Sequence, residues 1–421
     1  MKIVGIIAEY NPFHNGHKYQ LAQAKALAGA DYAVVVMSGD FTQRGEPALV
    51  NKYARCEMAL LGGADLVLEL PVCFSLGSAE YFARGAVTLL DSLGVGALCF
   101  GSECGSLSSL KSAAEILHRE PEEYKRLLLQ HQKDGMSHPA ARSLALNKYI
   151  QKNTGENNFD APSSIDELLQ SPNNILGIEY LKALLARGSA MEVYTLPRQG
   201  SGYLDPSLPA GSFCSALAAR QSIEQGMPLS TLIPFLPEST LQILEKELSM
   251  GFPVTADDFS SMLFYRLLQL RPQGYSDFAD VSESMSDKIS KSLEQYISFS
   301  QFCKNVLKSK DLTHTRISRA LFHILLGITE EFLKQAACLD AACYARILGF
   351  QTSKTELLSA LATGNTPLLS KLPEAEKQLS PFGKQMLAQD VFASHLYESI
   401  AAQKTGRPSE HEYRRQILRL S

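Results

Sequence analysis

The chain has 421 residues, 45% hydrophobic and 20% charged, which describes a folded globular protein of roughly two to three domains. Its net charge of −4 gives no global nucleic-acid footprint, so any basic surface has to be local. Eight cysteines stand singly, and neither Cys99 with Cys104 nor Cys338 with Cys343 has zinc-knuckle spacing, so reduced thiols in a cytoplasmic protein are expected. The first apolar run ends at Glu9, too early for a signal peptide, and none approaches the ~18 residues that span a bilayer, so no membrane partner is expected.

Lys2 to Ala8 is a short run rich in β-branched residues and reads as a buried parallel strand. It breaks at Asn11-Pro12. From Lys18 the composition is helical, with Leu21, Ala24 and Leu27 near one face, so a helix starts close to Asn15-Gly16-His17. A helix N-terminus presents unpaired N–H groups and the positive end of the macrodipole, a natural place for phosphate. Two histidines sit there, separated by a glycine that lets the backbone approach a ligand. A plain structural reading has one histidine capping the helix and the other at the surface.

Further strands are predicted at Ala33–Met37, ending in Ser38-Gly39-Asp40; at Leu66–Leu70, stopped by Pro71; and at Ala97–Phe100, ending in Gly101-Ser102-Glu103. Helical periodicity lies between them over 51–61 and 78–93. Such alternation implies βαβ units and a Rossmann-like parallel sheet, with the ligand beyond the carboxyl ends of its strands. Neither GxGxxG nor the Walker A pattern occurs.

Residues 107–190 read as mainly helical, with a polar loop over 152–160. Ser171-Pro172-Asn173-Asn174 carries helix-start signals. Met191–Leu196 is a fifth strand, ending at Pro197-Arg198-Gln199-Gly200, and a helix runs through Ser215–Arg220. Past Pro228 the strand signals stop. We therefore expect an α/β domain over 1–228 and an all-α domain over 229–421. The latter has two basic stretches: Lys304, Lys308, Lys310, Arg316 and Arg319, and the tail with Lys404, Arg407, Arg414, Arg415 and Arg419. Each reads equally as a solvated face or as an RNA-binding surface; about nine or ten neutralised phosphates give strongly salt-dependent binding if the faces converge.

His14-Asn15-Gly16-His17 has the HxGH form of the HIGH-type nucleotidyltransferase superfamily, whose histidines line the triphosphate of ATP and stabilise charge as the α-phosphate is attacked. His14, His17 and Asp40 are the catalytic candidates, and Arg198 and Arg220 are cations for the opposite side. Asp40, at the same sheet edge, is a candidate to hold Mg²⁺, to orient the acceptor, or to cap a turn. Lys52 and Arg55 read more readily as surface cations.

The resemblance is closer still. Gly5 to His17, Met37-Ser38-Gly39-Asp40-Phe41-Thr42-Gln43-Arg44-Gly45-Glu46-Pro47-Ala48, Phe100–Glu103, Pro172–Gly177, Leu196-Pro197-Arg198, Ser215–Arg220, Thr315–Leu321 and Ala345–Phe350 together resemble the bacterial tRNA(Met) cytidine acetate ligases. The likeness covers essentially the whole chain. It implies activation of acetate by ATP to acetyl-adenylate, then acetyl transfer to the exocyclic amine of the wobble cytidine of elongator tRNA(Met), with Mg²⁺ expected. It further implies that ATP is bound by Ile7-Ala8-Glu9-Tyr10-Asn11-Pro12-Phe13-His14-Asn15-Gly16-His17-Lys18-Tyr19-Gln20, Gly101, Asn173 or Asn174, and Arg198, with Ser215 and Arg220 matching a phosphate-binding segment. Leu217 stands where that segment usually has threonine, so a hydroxyl contact is lost. Two other readings remain open from sequence: an enzyme joining AMP to a phosphorylated metabolite, and a non-catalytic RNA-binding protein.

Overall fold

The computed structural model describes residues 1–134, 136, 138–154, 165–198, 211–309, 312–364, 366–375 and 377–421. Its core is an eight-stranded sheet. The strands used below are β1 (Ile3–Ala8), β2 (Tyr32–Ser38), β3 (Phe41–Thr42), β4 (Glu46–Pro47), β5 (Leu66–Leu70), β6 (Ala97–Ser102), β7 (Glu192–Pro197), β8 (Ala345–Gln351), β9 (Leu368–Leu369) and β10 (Leu418–Leu420). The sheet order is β10-β8-β5-β2-β1-β6-β7, with β9 also on β8. Strands β1, β2, β5, β6 and β7 are mutually parallel, as the alternating apolar runs predict. Every residue of β1, β2 and β5 is buried. Gly5 in β1 admits the helix Ala79–Ser92 to close range, since a Cβ there would lie 2.7 Å from Leu90 Cδ1.

The C-terminal half is mainly helical, but the strand signals do not stop at Pro228. β8 pairs antiparallel with β5, and β9 and β10 pair parallel with β8, so the sheet runs across the 228/229 boundary. A short apolar run bounded by turns fits a buried strand and a buried helix equally well, and Arg346 in its middle hides the strand pattern. The structure accommodates that arginine with a neighbour in register: Arg346 faces Glu69 across the β5–β8 pair, Nη1 to Oε2 at 3.0 Å.

Residues 152–154 form the end of the helix His138–Thr154, whereas 155–160 lie outside the described residues. β3 and β4, a hairpin inside the Met37–Ala48 segment, were not anticipated. Gly45 closes that hairpin with φ +74°, and a Cβ on it would lie 2.4 Å from the Arg319 nitrogen. The helix His314–Leu326 thereby packs against it, with Ser318 Oγ donating to the Gly45 carbonyl.

Candidate active site

The carboxyl ends of β1, β6 and β7 open into a cleft of about 910 Å³, part of it open to solvent. This is where a parallel sheet presents its ligand. The floor is Ile7 and Ala8 at the end of β1. One wall is Glu9, Tyr10, Asn11, His17 and Gln20, and the other is Gly101, Asn173 and Arg198. His14 and Tyr19 line an adjoining recess that shares His17, Gln20, Gly101 and Arg198.

α1 (Asn15–Ala28) begins with a reciprocal cap built from the two histidines. His14 Nδ1 accepts from the Gly16 N–H at 3.0 Å, and His17 Nδ1 accepts from the His14 N–H at 3.3 Å. A neutral imidazole that accepts at Nδ1 carries its proton on Nε2, so the cap fixes both tautomers. The rings stack at 3.6 Å between centroids and 19° between planes. Only Gly16 permits this, because a Cβ there would lie 2.9 Å from His14 Cε1.

Burial, with the Arg198 charge adding to it, lowers the His14 pKa to about 3. Burial first, then His14 and Arg198, lowers that of His17 well below the ordinary value. Both rings are therefore neutral near pH 7, each an Nε2–H donor beside the helix N-terminus. The cap and the two Nε2–H donors are thus one arrangement.

Tyr10 takes a left-handed backbone, φ 48°, which costs a non-glycine residue ~1–3 kcal/mol. Its ring is held 4.8 Å from both Phe13 and His17. Asn11 Oδ1 accepts from the Leu49 N–H at 2.8 Å, and its carbonyl accepts from Arg220 Nη1 at 2.8 Å. Arg220 also pairs with Glu46 at 3.0 Å, so it braces the turn after β1 while lining the cleft.

The opposite wall is set by Glu103. Its carboxylate accepts from the backbone N–H groups of Asn173 and Asn174, at 3.2 and 2.8 Å, at the start of the helix Pro172–Arg187. Asn174 Oδ1 returns the contact, accepting from the Glu103 and Cys104 N–H groups at 2.9 and 3.2 Å. Asn174 is 1% exposed and belongs wholly to this brace; Asn173 lines the cleft while also donating through Nδ2 to Glu103 Oε1 at 2.7 Å. Ser215 caps the helix Ala216–Glu224 by accepting from the Ala218 N–H at 3.0 Å, and Leu217 faces the cleft where a hydroxyl was expected.

Several nominated residues sit outside the cleft. Pro12 and Phe13 are buried, with Phe13 lodged against Gly62. Asn15 donates through Nδ2 to the Pro234 carbonyl at 3.0 Å, and Lys18 is exposed. Asp40 has both carboxylate oxygens engaged: Oδ1 accepts from the Lys52 N–H at 2.9 Å and Oδ2 from Ser394 Oγ at 2.6 Å.

Lys52 and Arg55 are not surface cations; each is 0% exposed. Both lie on α2 (Lys52–Leu61). Arg55 donates to the carbonyls of Glu9 at 2.7 Å, Ser38 at 3.1 Å and Gly39, tying together the exits of β1 and β2. Lys52 Nζ lies 2.8 Å from Glu69 and 3.3 Å from Glu412. Of the basic candidates, Lys304, Lys308 and Arg414 are exposed, and Arg316 is partly exposed. Arg319 is paired with Asp280 at 2.9 Å and Arg415 with Glu398 at 3.3 Å. Lys310 lies outside the described residues.

Sequence reasoning gave no chemical role to Gln43, Arg44, Phe82, Leu176 and Tyr180, which also line the cleft. Gln43 and Arg44 lie in a segment singled out for resemblance alone. The other three carry no local polar signal.

The sequence profile of the HIGH Nucleotidyl Transferase family matches residues 1–412. The chain is 38% identical to the tRNA(Met) cytidine acetate ligase of Acetivibrio thermocellus, over 99% of this chain and 100% of that one. It is 41% identical to the protein of the same name from Thermoanaerobacter sp. strain X514, over 94% and 95% of the two chains. The crystal structure of apo Thermotoga maritima TmcAL matches with a TM-score of 0.91 at 32% identity, covering 100% of both chains. The same protein bound with alpha-thio ATP matches at 0.89 and 31%, again over 100% of both. A parallel sheet with two capped histidines at its first helix, matched along the whole chain by these proteins, places the chain among the HIGH nucleotidyl transferases and, within them, in the family of tRNA(Met) cytidine acetate ligases.

Proposed function

We propose that the protein activates acetate with ATP to acetyl-adenylate and passes the acetyl group to the exocyclic amine of the wobble cytidine of elongator tRNA(Met), forming N4-acetylcytidine, AMP and pyrophosphate. The observation that carries this is the pair of neutral imidazoles whose Nε2–H donors are fixed by the cap at the N-terminus of α1, opposite Arg198. The alpha-thio ATP bound by the Thermotoga protein supports ATP as the nucleotide. Adenylylation of a phosphorylated metabolite is not favoured, since the relatives that match along the whole chain carry the acetate ligase name.

In the first step an acetate oxygen attacks the α-phosphorus, and the bond to pyrophosphate breaks. Negative charge grows on the α–β bridging oxygen and the β,γ-phosphates. Fixed donors there stabilise the transition state more than the ground state. His14 and His17 supply them through Nε2–H, since the first N–H groups of α1 are taken up by His14 and the Phe235 carbonyl, and Arg198 supplies positive charge. In the second step the cytidine amine attacks the acetyl carbon and AMP departs.

Mg²⁺ is assigned to the ATP substrate: among the described residues no three His, Cys, Asp or Glu side chains converge into a metal site. We assign residues 1–228 to ATP and acetate and 229–421 to tRNA, with Lys304, Lys308, Arg316 and Arg414 as the cations available to phosphate. Among the described residues no helix is long and apolar enough to cross a membrane; the tRNA substrate supports a cytoplasmic site of action.

The test is mass spectrometry of tRNA nucleosides after incubating the protein with ATP, labelled acetate and unmodified tRNA(Met). Labelled N4-acetylcytidine is expected. Pyrophosphate release indifferent to acetate would overturn the reading.

A further inference from the structure

We infer that Glu9 is the base that takes the proton from the cytidine amine during acetyl transfer; this rests on the acetate ligase reading above. Glu9 follows the last residue of β1, and among the described residues it is the only carboxylate lining the cleft. Its Oε1 accepts from the Gln43 N–H at 2.8 Å, which fixes the carboxyl group. Among the described residues no donor is bonded to Oε2.

A carboxylate is out of place in a cleft for ATP and acetate, both anions, because like charges in a partly desolvated site repel. It welcomes an N–H donor. The third substrate brings one, since a carboxylate accepting from N4 is a recurrent way of recognising cytosine.

That amine also needs a base. Its lone pair is conjugated into the pyrimidine ring, so it attacks effectively only as a proton departs. In a balanced step, N4 bonds to the carbonyl carbon of acetyl-adenylate, and its proton passes to Glu9 Oε2. The C–O bond to the phosphate breaks with its electron pair leaving on AMP, and Glu9 returns the proton to water.

The other basic groups at the site are already committed. The Nδ1 atoms of His14 and His17 accept the cap hydrogen bonds, so each ring offers a donor and not an acceptor. Asp40 lies outside the cleft with both oxygens engaged. Burial also raises the Glu9 pKa, against the lowering influence of the Gln43 N–H, Arg220 and Arg44, which makes the carboxylate a stronger base.

The test compares full-length wild type, Glu9→Gln and Glu9→Asp in two assays. One is acetate-dependent exchange of radiolabelled pyrophosphate into ATP, and the other is single-turnover acetyl transfer from preformed acetyl-adenylate to tRNA(Met). Glutamine keeps an oxygen for the Gln43 N–H, so circular dichroism and melting temperature are expected to stay close to wild type. Transfer by Glu9→Gln is expected to fall ~100-fold or more and to lose the acidic limb of its pH profile. Its loss in exchange is expected to be at least about tenfold smaller, and Glu9→Asp to recover part of the transfer rate together with the acidic limb. Transfer by Glu9→Gln within about threefold of wild type overturns the assignment, as does a parallel fall in both assays, which places Glu9 on the nucleotide or the fold. Wild-type exchange that needs no acetate sinks the ligase reading, and this assignment with it.

Discussion

His14 and His17 lie ring on ring, 3.6 Å between centroids, and each turns its Nδ1 toward a backbone N–H at the entry to α1. The cap leaves Nε2 as the nitrogen of each ring that is free of the backbone. Replacing either histidine by alanine therefore removes both a cap acceptor and an Nε2–H donor. We expect acetate-dependent pyrophosphate release to fall by ~10²–10³ in kcat for either variant, the usual effect of losing one fixed donor to a developing anion. Thermal unfolding should show a loss of only about 1 kcal/mol from the cap. Asparagine at 14, a good cap, should restore the stability and leave the activity low.

The same burial makes the apo protein sensitive to acid. The His14 pKa is about 3 in the folded chain and ~6.5 when unfolded, so below pH 6.5 the unfolded state binds the extra proton. Stability from this group is complete above pH ~6.5 and is lost as the pH falls toward 3. At pH 5 the loss amounts to about 2 kcal/mol. Urea unfolding of wild type and His14→Asn at pH 8 and pH 5 measures it, and the variant should lose less stability between the two pH values. A triphosphate beside the rings favours their charged forms, so saturating ATP should reduce the acid sensitivity of the wild type.

Two adjacent asparagines are expected to behave differently. Asn173 faces the cleft and also donates through Nδ2 to Glu103, so its alanine variant should raise the KM for ATP several-fold and lower stability by only about 1 kcal/mol. Asn174 accepts two backbone N–H groups in a buried position, so Asn174→Ala should lower stability by about 1–3 kcal/mol, the cost of stranding buried donors. Steady-state kinetics and urea unfolding on both variants separate the roles. Equal effects would remove the distinction.

These asparagines mark the boundary of what the sequence tells. Pro172 and Asn173 announce a helix start locally, but which asparagine meets the cleft depends on how the helix is rotated. That is set by close packing of Gly177 on Phe100, where a Cβ would lie 2.5 Å from the ring. The leading strand and α1 were legible because an apolar run, a break and a periodic helix are local signals. Lys52 and Arg346 were not, because what makes a buried cation tolerable is distant in sequence. Lys52 meets Glu69 and Glu412, and Arg346 meets the same two carboxylates. Burial alone would raise the Glu412 pKa, and the Lys52 and Arg346 charges more than reverse it. The structure has an ion network joining β5, β8 and the C-terminal tail, which no local pattern announces.

The basic stretches divide by burial, and their variants should divide the same way. Lys304, Lys308 and Arg414 are exposed, so charge removal there should leave folding within about 0.5 kcal/mol of wild type. If these side chains contact tRNA phosphates, affinity should weaken for any tRNA, and the slope of log affinity against log salt should fall by about 1 per contact. Arg319 instead donates to Asp280 through Nε at 2.9 Å, beneath the hairpin closed by Gly45. Burial would raise the Asp280 pKa, yet Arg319 and His323 hold it below the ordinary carboxylate value. Arg319→Ala leaves that carboxylate short of its main partner and should cost about 3–5 kcal/mol while leaving the salt slope of tRNA binding unchanged. Filter binding at several salt concentrations, read beside urea unfolding, distinguishes the two groups. A lysine variant that destabilises the fold, or an Arg319 variant that changes only the salt slope, would overturn the division.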